Sequence, residues 1–168
     1  MTGFTMLEVL ISIVVIAFGL LGVAGLQAFA IKNNQSASTR VVATALAMDM
    51  VDRLHSNWKG ANESAYNAPL LASYATPVAS CLTAAGCTQL ELAQTDLSDW
   101  ALQVAQTLPK GAGIVCLDST PHDGDTAAAP LCDGLGINTY TVKIWWSDDR
   151  SVTGDPARPQ RFSWPFTP

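Results

Sequence analysis

The chain has 168 residues, a formal net charge of -5 and 14% charged residues. That length accommodates a hydrophobic helix and one compact domain, but not two domains. The acidic balance argues against nucleic acid as a partner, because binding to phosphate needs a basic patch. The cations near the carboxyl end are too scattered along the chain to form such a patch: Lys143, Arg150, Arg158 and Arg161.

An uncharged apolar segment follows the first acidic residue of the chain, Glu8, and extends from Val9 to Ile31. Its clearly polar side chains are Ser12 and Gln27. A run of this length crosses a bilayer core of about 30 Å as a helix. An unpaired carboxylate at hydrocarbon depth costs about 2.5–3.5 kcal/mol on insertion scales, so the pattern predicts a specific partner for Glu8.

The residues around this glutamate form a motif with a known counterpart. The segment from Gly3 to Leu10, GFTMLEVL, combines a Gly-Phe pair, a glutamate four residues after the phenylalanine and an apolar helix behind them. It resembles the cleavage motif of prepilins, the precursors of type IV pilins and of the pseudopilins of type II secretion. The resemblance implies cleavage between Gly3 and Phe4, N-methylation of Phe4, and a role for Glu8 in assembly.

Two ordinary targeting signals are the alternatives for this segment. A signal anchor would carry Glu8 only incidentally. A cleaved secretory signal has an apolar region of about 7–15 residues, which is shorter than the run seen here. Met1 and Thr2 alone precede Gly3 in the sequence, whereas prepilin leaders usually carry Lys or Arg there, which keeps that end cytoplasmic.

The resemblance also sets expectations for organisation, location and partners. Residues 1–3 would be the prepilin leader, 4–31 the transmembrane and assembly half of the first helix, and 32–168 a periplasmic pilin-like globular domain. The protein would span the bacterial inner membrane once and then enter a pilus fibre at the cell surface. Its implied partners are the prepilin peptidase and methylase, the membrane, and other major and minor pilins through the helix. Such a building block needs neither catalytic residues nor a cofactor or metal.

Three glycines stand three residues apart within the apolar segment: Gly19, Gly22 and Gly25. Glycine costs about 1 kcal/mol relative to alanine inside a helix. Small residues, however, let transmembrane backbones approach each other closely. We therefore predict a helix-packing role for these positions, although glycine is also common in membrane helices generally.

The pattern from Thr5 to Trp58 predicts one long helix. Its second half carries an apolar stripe at i, i+4 spacing, thickened by small residues: Val42, Ala43, Leu46, Ala47, Met50, Val51 and Leu54. Residues 60–87 lack a sustained period and predict a loop. A second helix is predicted from Asp96 to Leu108, capped by Asp96 or Ser98 and ended by Pro109. Its expected apolar face consists of Leu97, Trp100, Ala101, Val104, Ala105 and Leu108.

Three strands are predicted in the last third of the chain. The first runs from Ile114 to Leu117, and the second from Asn138 to Trp146, where apolar residues alternate. A third strand, 161–164, is confined to a sheet edge or to the terminus by the prolines that follow it. The fold class is α+β and pilin-like: a long hydrophobic helix packed on a small antiparallel sheet of about three or four strands, with two disulfide-bonded loops.

The cysteine count is even, and all the cysteines follow the apolar segment: Cys81, Cys87, Cys116 and Cys132. In an exported domain they indicate two disulfides. Of three pairings, Cys81–Cys87 and Cys116–Cys132 is favoured, because each bond would staple one loop. The spacing does not favour a zinc site, which prefers two tight Cys-x-x-Cys pairs.

The polar loop from Asp118 to Gly136 raises the question of calcium, because it carries Asp118, Asp123, Asp125 and Asp133. It lacks the ligand spacing of an EF-hand loop, which ends on a glutamate. A solvated loop closed by a disulfide is therefore the favoured interpretation, and no metal site is predicted.

A second resemblance narrows the family. The helix with Trp100 is followed by LPKG at residues 108–111, and Tyr140-x-Val142-x-Ile144-x-Trp146-x-Asp148 forms the later strand. This arrangement resembles the PilV-like group of minor pilins, which help to prime or modify pilus assembly. Two alternatives remain open: a minor pseudopilin of type II secretion, and a membrane-tethered periplasmic binding domain that does not polymerise.

Overall fold

The computed structural model describes residues 3, 5–68, 76–136, 138–148 and 159–168. Contacts group the chain into two units, Met1–Ser38 and Thr39–Pro168. Helix α1 spans Met6–Ser56, close to the predicted bounds. Its large apolar side chains up to Ile31 are 48% exposed or more. Within the described residues, α1 is the one helix long and apolar enough, by length and composition, to cross a membrane.

In the second unit, α1 buries the predicted stripe. The buried residues are Ala43, Leu46, Ala47, Met50, Val51 and Leu54, and Val42 is partly buried against them. A turn at Asn57 separates α1 from a short helix α2, Trp58–Asn62, which the sequence analysis divided between α1 and a loop. The predicted loop that follows contains a 3₁₀ turn at Ala79–Leu82, and its residues 69–75 lie outside the described residues.

The predicted start of the second helix was wrong. Helix α3 spans Gln89–Thr107 and begins with a capping box, in which Thr88 accepts from the Glu91 backbone and Glu91 accepts from the Thr88 backbone. The signal Thr-x-x-Glu is present in the sequence. Exposed leucines at Leu90 and Leu92 obscured it, because they break the apolar period of the first turns. Ala105, expected on the apolar face, is exposed.

The described residues contain one sheet of three strands in the order β1-β2-β3, antiparallel throughout. The strands are β1 (Ala112–Leu117), β2 (Tyr140–Trp146) and β3 (Gln160–Phe166). The register pairs Val142 with Val115 on one side and with Trp164 on the other. The edge position predicted for β3 is confirmed, although the strand extends through Pro165.

The two faces of the sheet pack against different parts of the second unit. One face contributes Val142, Ile144 and Trp146 to the core that includes α1 and α3. The other contributes Ile114 and Trp145 to a smaller cluster with loop residues. Because both faces are covered, every residue of β2 is buried, whereas the sequence predicted simple alternation. The protein therefore has an α+β, pilin-like fold.

Candidate functional site

The assembly segment predicted from the motif lies at the start of α1. Gly3 is exposed and lies before the helix. Phe4 lies outside the described residues, so only the Gly3 side of the proposed cleavage bond is described. Glu8 is in the first turn of α1, and its backbone N–H donates to the Thr5 carbonyl at 3.0 Å. No cation within the described residues pairs with the Glu8 carboxylate, which is exposed.

Small and polar positions share a face of the apolar part of α1. Ser12, Gly19 and Gly22 follow Glu8 after close to one, three and four helical turns, so the four lie in one row, whereas Gly25 lies about a quarter turn away. The Ser12 hydroxyl donates to the Glu8 carbonyl at 2.7 Å. A Cβ added at any of the three glycines would meet nothing within 4 Å. The row is open to another helix, and its packing role stays a prediction.

Both favoured disulfides are present in the second unit. Cys81 and Cys87 are joined with their Cα atoms 4.8 Å apart, and Cys116 and Cys132 with theirs 6.2 Å apart. The second bond ties β1 to the acidic loop, by which we mean residues 118–136. Among the described residues, one group of side chains has the spacing of possible metal ligands: Cys116, Asp118 and Cys132. Their sulfurs are bonded to each other and offer no thiolate ligand.

The acidic loop is organised around a buried lysine, Lys143, which was considered from the sequence only as one of several scattered cations. The side chains of Lys143 and Asp118 are both 0% exposed, and Nζ lies 2.5 Å from Oδ2 of Asp118. Nζ also lies 2.8 Å from Oδ1 of Asp123 and donates to the Pro130 carbonyl at 2.8 Å. The loop is closed by the predicted disulfide, and Asp125 and Asp133 are exposed as expected of a solvated loop. The expectation was wrong for Asp118, which is buried against an ammonium that projects from β2.

Further contacts hold the acidic loop against the sheet. The Trp145 indole N–H donates to the Gly124 carbonyl at 3.1 Å. The Arg161 guanidinium donates to the same carbonyl at 2.6 Å and to the His122 carbonyl. His122 Nδ1 and the Ser163 hydroxyl are 2.9 Å apart. Together, β2 and β3 clamp the loop through side chains, while Arg150 and Arg158 lie outside the described residues.

A second polar network, which was not predicted from the sequence, links α1 to α3 through Asn57 and Tyr66. The Tyr66 hydroxyl donates to Asp96 at 2.5 Å, and the Asn57 amide donates to the Tyr66 oxygen at 3.1 Å. Arg53 reaches the other Asp96 oxygen at 3.4 Å. Burial raises the pKa of Asp96, against the lowering effects of Tyr66 and Arg53. Burial likewise raises the pKa of Tyr66. Asp96, which was predicted to cap the helix, therefore lies inside α3 and contacts Tyr66 and Arg53.

Asp123→Asn is expected to lower the melting temperature near neutral pH, and the difference from wild type should vanish on acidification. The hydrogen bond from Lys143 holds the pKa of Asp123 below its ordinary value of 3.8. A depressed pKa means that ionised Asp123 stabilises the fold at higher pH and that this contribution is lost as the pH falls through the folded pKa. Thermal unfolding followed by near-UV circular dichroism, above and below pH 3.8, measures the difference.

Asp125→Asn is the matched control for this prediction. It removes an exposed carboxylate from the same loop and should change the melting temperature little at either pH. The pKa of Asp96 is raised, so its titration changes stability with pH in the opposite direction. This contribution is the same in wild type and variants and cancels when their melting temperatures are compared. A gap between Asp123→Asn and wild type that persisted or grew in acid would contradict the prediction.

Comparison with known proteins bears on the segment after the motif. The chain matches the Tt1218-like family, described as type IV pilin Tt1218, over residues 25–98. The matched region includes the second half of α1, α2, the Cys81–Cys87 loop and the start of α3. It begins after Leu10, so it is independent of the GFTMLEVL motif. No curated protein and no solved structure matches the chain. Over these residues the chain is similar to type IV pilins, and the match supports a pilin role, which is structural rather than enzymatic.

Proposed function

We propose that this chain is a minor pilin of a type IV pilus, of the PilV-like group, which helps to prime or modify fibre assembly. The observation that carries the proposal is an exposed apolar helix with a lone carboxylate in its first turn, followed by a disulfide-bonded pilin-like domain. The family match over residues 25–98 supports it independently. A helix of this kind needs apolar surroundings, first from lipid and then from other subunits.

Glu8 would direct how subunits dock. Once the chain is cleaved after Gly3, the new amino group of Phe4 is a cation at the end of an apolar helix. Pairing of that amino group with Glu8 of a neighbouring subunit offsets the desolvation of both charges, whereas an unmatched charge costs several kcal/mol. A subunit docked in the wrong axial position would leave Glu8 unpaired. The pair therefore selects one register among helices whose apolar segments are otherwise uncharged.

The row of Glu8, Ser12, Gly19 and Gly22 would be the face along which a neighbouring helix packs. Glycine at two positions of the row lets the backbones approach closely, because no Cβ intervenes. The globular unit would remain outside the helical core of the fibre. Its disulfides suit the oxidising periplasm and cell exterior, where such bonds persist.

Deletion of the coding sequence in the native host tests the proposal. The measurement is the yield of sheared fibre protein from parent, deletion mutant and complemented mutant. A loss that the wild-type gene restores supports a role in pilus assembly. Unchanged fibre yield with a defect in protein export would instead support a minor pseudopilin of type II secretion. Mass spectrometry of the mature amino terminus separates both from a tethered domain, because a retained Met1 would favour the latter.

Gly3→Val is expected to block processing, so that the precursor accumulates at its full size. A branched side chain next to the scissile bond would crowd the peptidase site where glycine has no side chain. The measurement is the mobility of the chain on immunoblots of membranes, together with its amino-terminal mass. Thr5→Val is the control, since it places the same side chain beyond the bond and should leave processing intact. Normal cleavage of Gly3→Val would contradict the assignment of the cleavage site.

A further inference from the structure

The environment of the Lys143 ammonium resembles that of a coordinated cation. Oδ2 of Asp118 and Oδ1 of Asp123 lie 2.5 and 2.8 Å from Nζ. The carbonyls of Pro130 and Asp123 lie 2.8 and 3.2 Å from it. These four oxygens form what we call the oxygen cage. Its carboxylate and carbonyl ligands are the kinds that hard cations such as Ca²⁺ prefer.

All the oxygens of the cage come from the acidic loop. Asp118 directly follows β1, and its Oδ1 accepts from the backbone N–H of Thr120 at 3.0 Å, which fixes the carboxylate. The Asp123 carboxylate also accepts from the Thr120 hydroxyl at 2.8 Å. Pro130 lies two residues before Cys132, which a disulfide joins to Cys116 of β1. The cation itself comes from the middle of β2, so the ligands and the occupant belong to different segments.

Charge explains why the cage needs an occupant. A buried carboxylate is strongly unfavourable without a partner, and Asp118 is 0% exposed. Its nearest cation is the Lys143 ammonium, which is also fully buried. Removal of one partner from such a pair leaves the other charge buried and uncompensated, which is strongly destabilising. The acidic loop can therefore keep this conformation only around a positive charge.

We propose that the oxygen cage is a cation-binding site whose resident cation is Lys143, and that it accepts Ca²⁺ or a small alkylammonium ion when this side chain is truncated. The wild-type loop then needs no external metal. Ca²⁺ takes about 6–8 oxygens at ~2.3–2.6 Å, so in the truncated variant water would complete the coordination that four protein oxygens begin. This proposal concerns the loop alone and does not rest on the role in a pilus.

The experiment uses the full chain in detergent and compares wild type, Lys143→Ala and Lys143→Met. Thermal unfolding is followed by near-UV circular dichroism in a chelator, in CaCl₂ and in propylammonium chloride, at constant ionic strength. Lys143→Ala leaves room for an ion, whereas Lys143→Met removes the charge but fills the space. We expect lower melting temperatures for both variants in the chelator. CaCl₂ and propylammonium should raise that of Lys143→Ala by several degrees, saturably, because binding to the folded state alone is stabilising.

Three outcomes would overturn the proposal. Both cations could fail to raise the melting temperature of Lys143→Ala, or this variant could fail to fold in the presence of both. Lys143→Met could respond as strongly as Lys143→Ala, which would place the binding elsewhere. Wild type could itself be stabilised by CaCl₂. A further measurement needs no variant to fold: ¹⁵N-lysine labelling of wild type should reveal one ammonium whose protons exchange slowly, and its absence would contradict an enclosed Lys143.

Discussion

A Glu8→Ala subunit is expected to be cleaved after Gly3 but to be nearly absent from sheared fibres. The peptidase acts on the far side of Phe4, whereas the carboxylate would act only when subunits dock. Loss of the carboxylate leaves the amino group of Phe4 on a neighbouring subunit uncompensated in an apolar core, at about 3–5 kcal/mol. Fibre content should fall at least roughly tenfold, since about 1.4 kcal/mol corresponds to tenfold in an equilibrium. Immunoblots of sheared fibres and of membranes measure incorporation and processing separately.

Two companion variants separate charge from polarity. Glu8→Gln keeps the size and hydrogen-bonding groups of the side chain but removes its charge, so it should fail like Glu8→Ala. Gln27→Ala removes an uncharged polar group from the same apolar run and should enter fibres normally. Normal incorporation of either Glu8 variant into fibres would contradict the proposal that the carboxylate sets the register.

Trp100→Ala is expected to destabilise the globular unit by about 3–5 kcal/mol, the usual cost of removing a buried aromatic side chain. Trp100 is 0% exposed, and its indole N–H donates to the Leu46 carbonyl of α1 at 2.8 Å. Its ring lies directly over Gly113 of β1, where a Cβ would come within 2.4 Å of the ring. One side chain thus joins α3, α1 and the sheet. Because domains are stable by only about 5–15 kcal/mol, the loss is a large fraction of the total.

Urea denaturation of the full chain in mild detergent, followed by near-UV circular dichroism, measures this loss. Trp58→Ala is the matched control, because the Trp58 side chain is 55% exposed on α2. Its removal should change the free energy of unfolding by only about 0.5 kcal/mol, as is usual at the surface. Equal effects of the two substitutions would show that the packing of Trp100 is not what holds α3 in place.

Elements with a strong local pattern were predictable from sequence. The buried stripe of α1 was confirmed because i, i+4 spacing of Leu46, Met50 and Leu54 suits only one helical face. Both disulfides were confirmed, since short spacings favour local pairing. The edge position of β3 was also confirmed, because a strand that contains Pro165 lacks one backbone donor.

Features that depend on distant residues were missed, and so was one weak local signal. Asp96 was assigned as a helix cap, but it sits inside α3 and accepts from Tyr66, which is 30 positions away in the chain. The start of α3 was misplaced because a capping box is only a short local signal among exposed leucines. Lys143 alternates with apolar neighbours as a surface lysine would, and only the acidic loop folded over it makes the position buried.

The sequence by itself determined the parts of this protein whose physics is local. An apolar run of bilayer length, the charge of Glu8 directly before it and the helical period of α1 are all properties of consecutive residues. Each limits the possible functions before the chain folds. The tertiary structure alone decided where charges are buried. Whether Asp118 and Lys143 are solvated or enclosed depends on which segments cover them. The burial of a side chain depends on contacts with segments from the whole domain, so it cannot be derived from any short stretch of sequence.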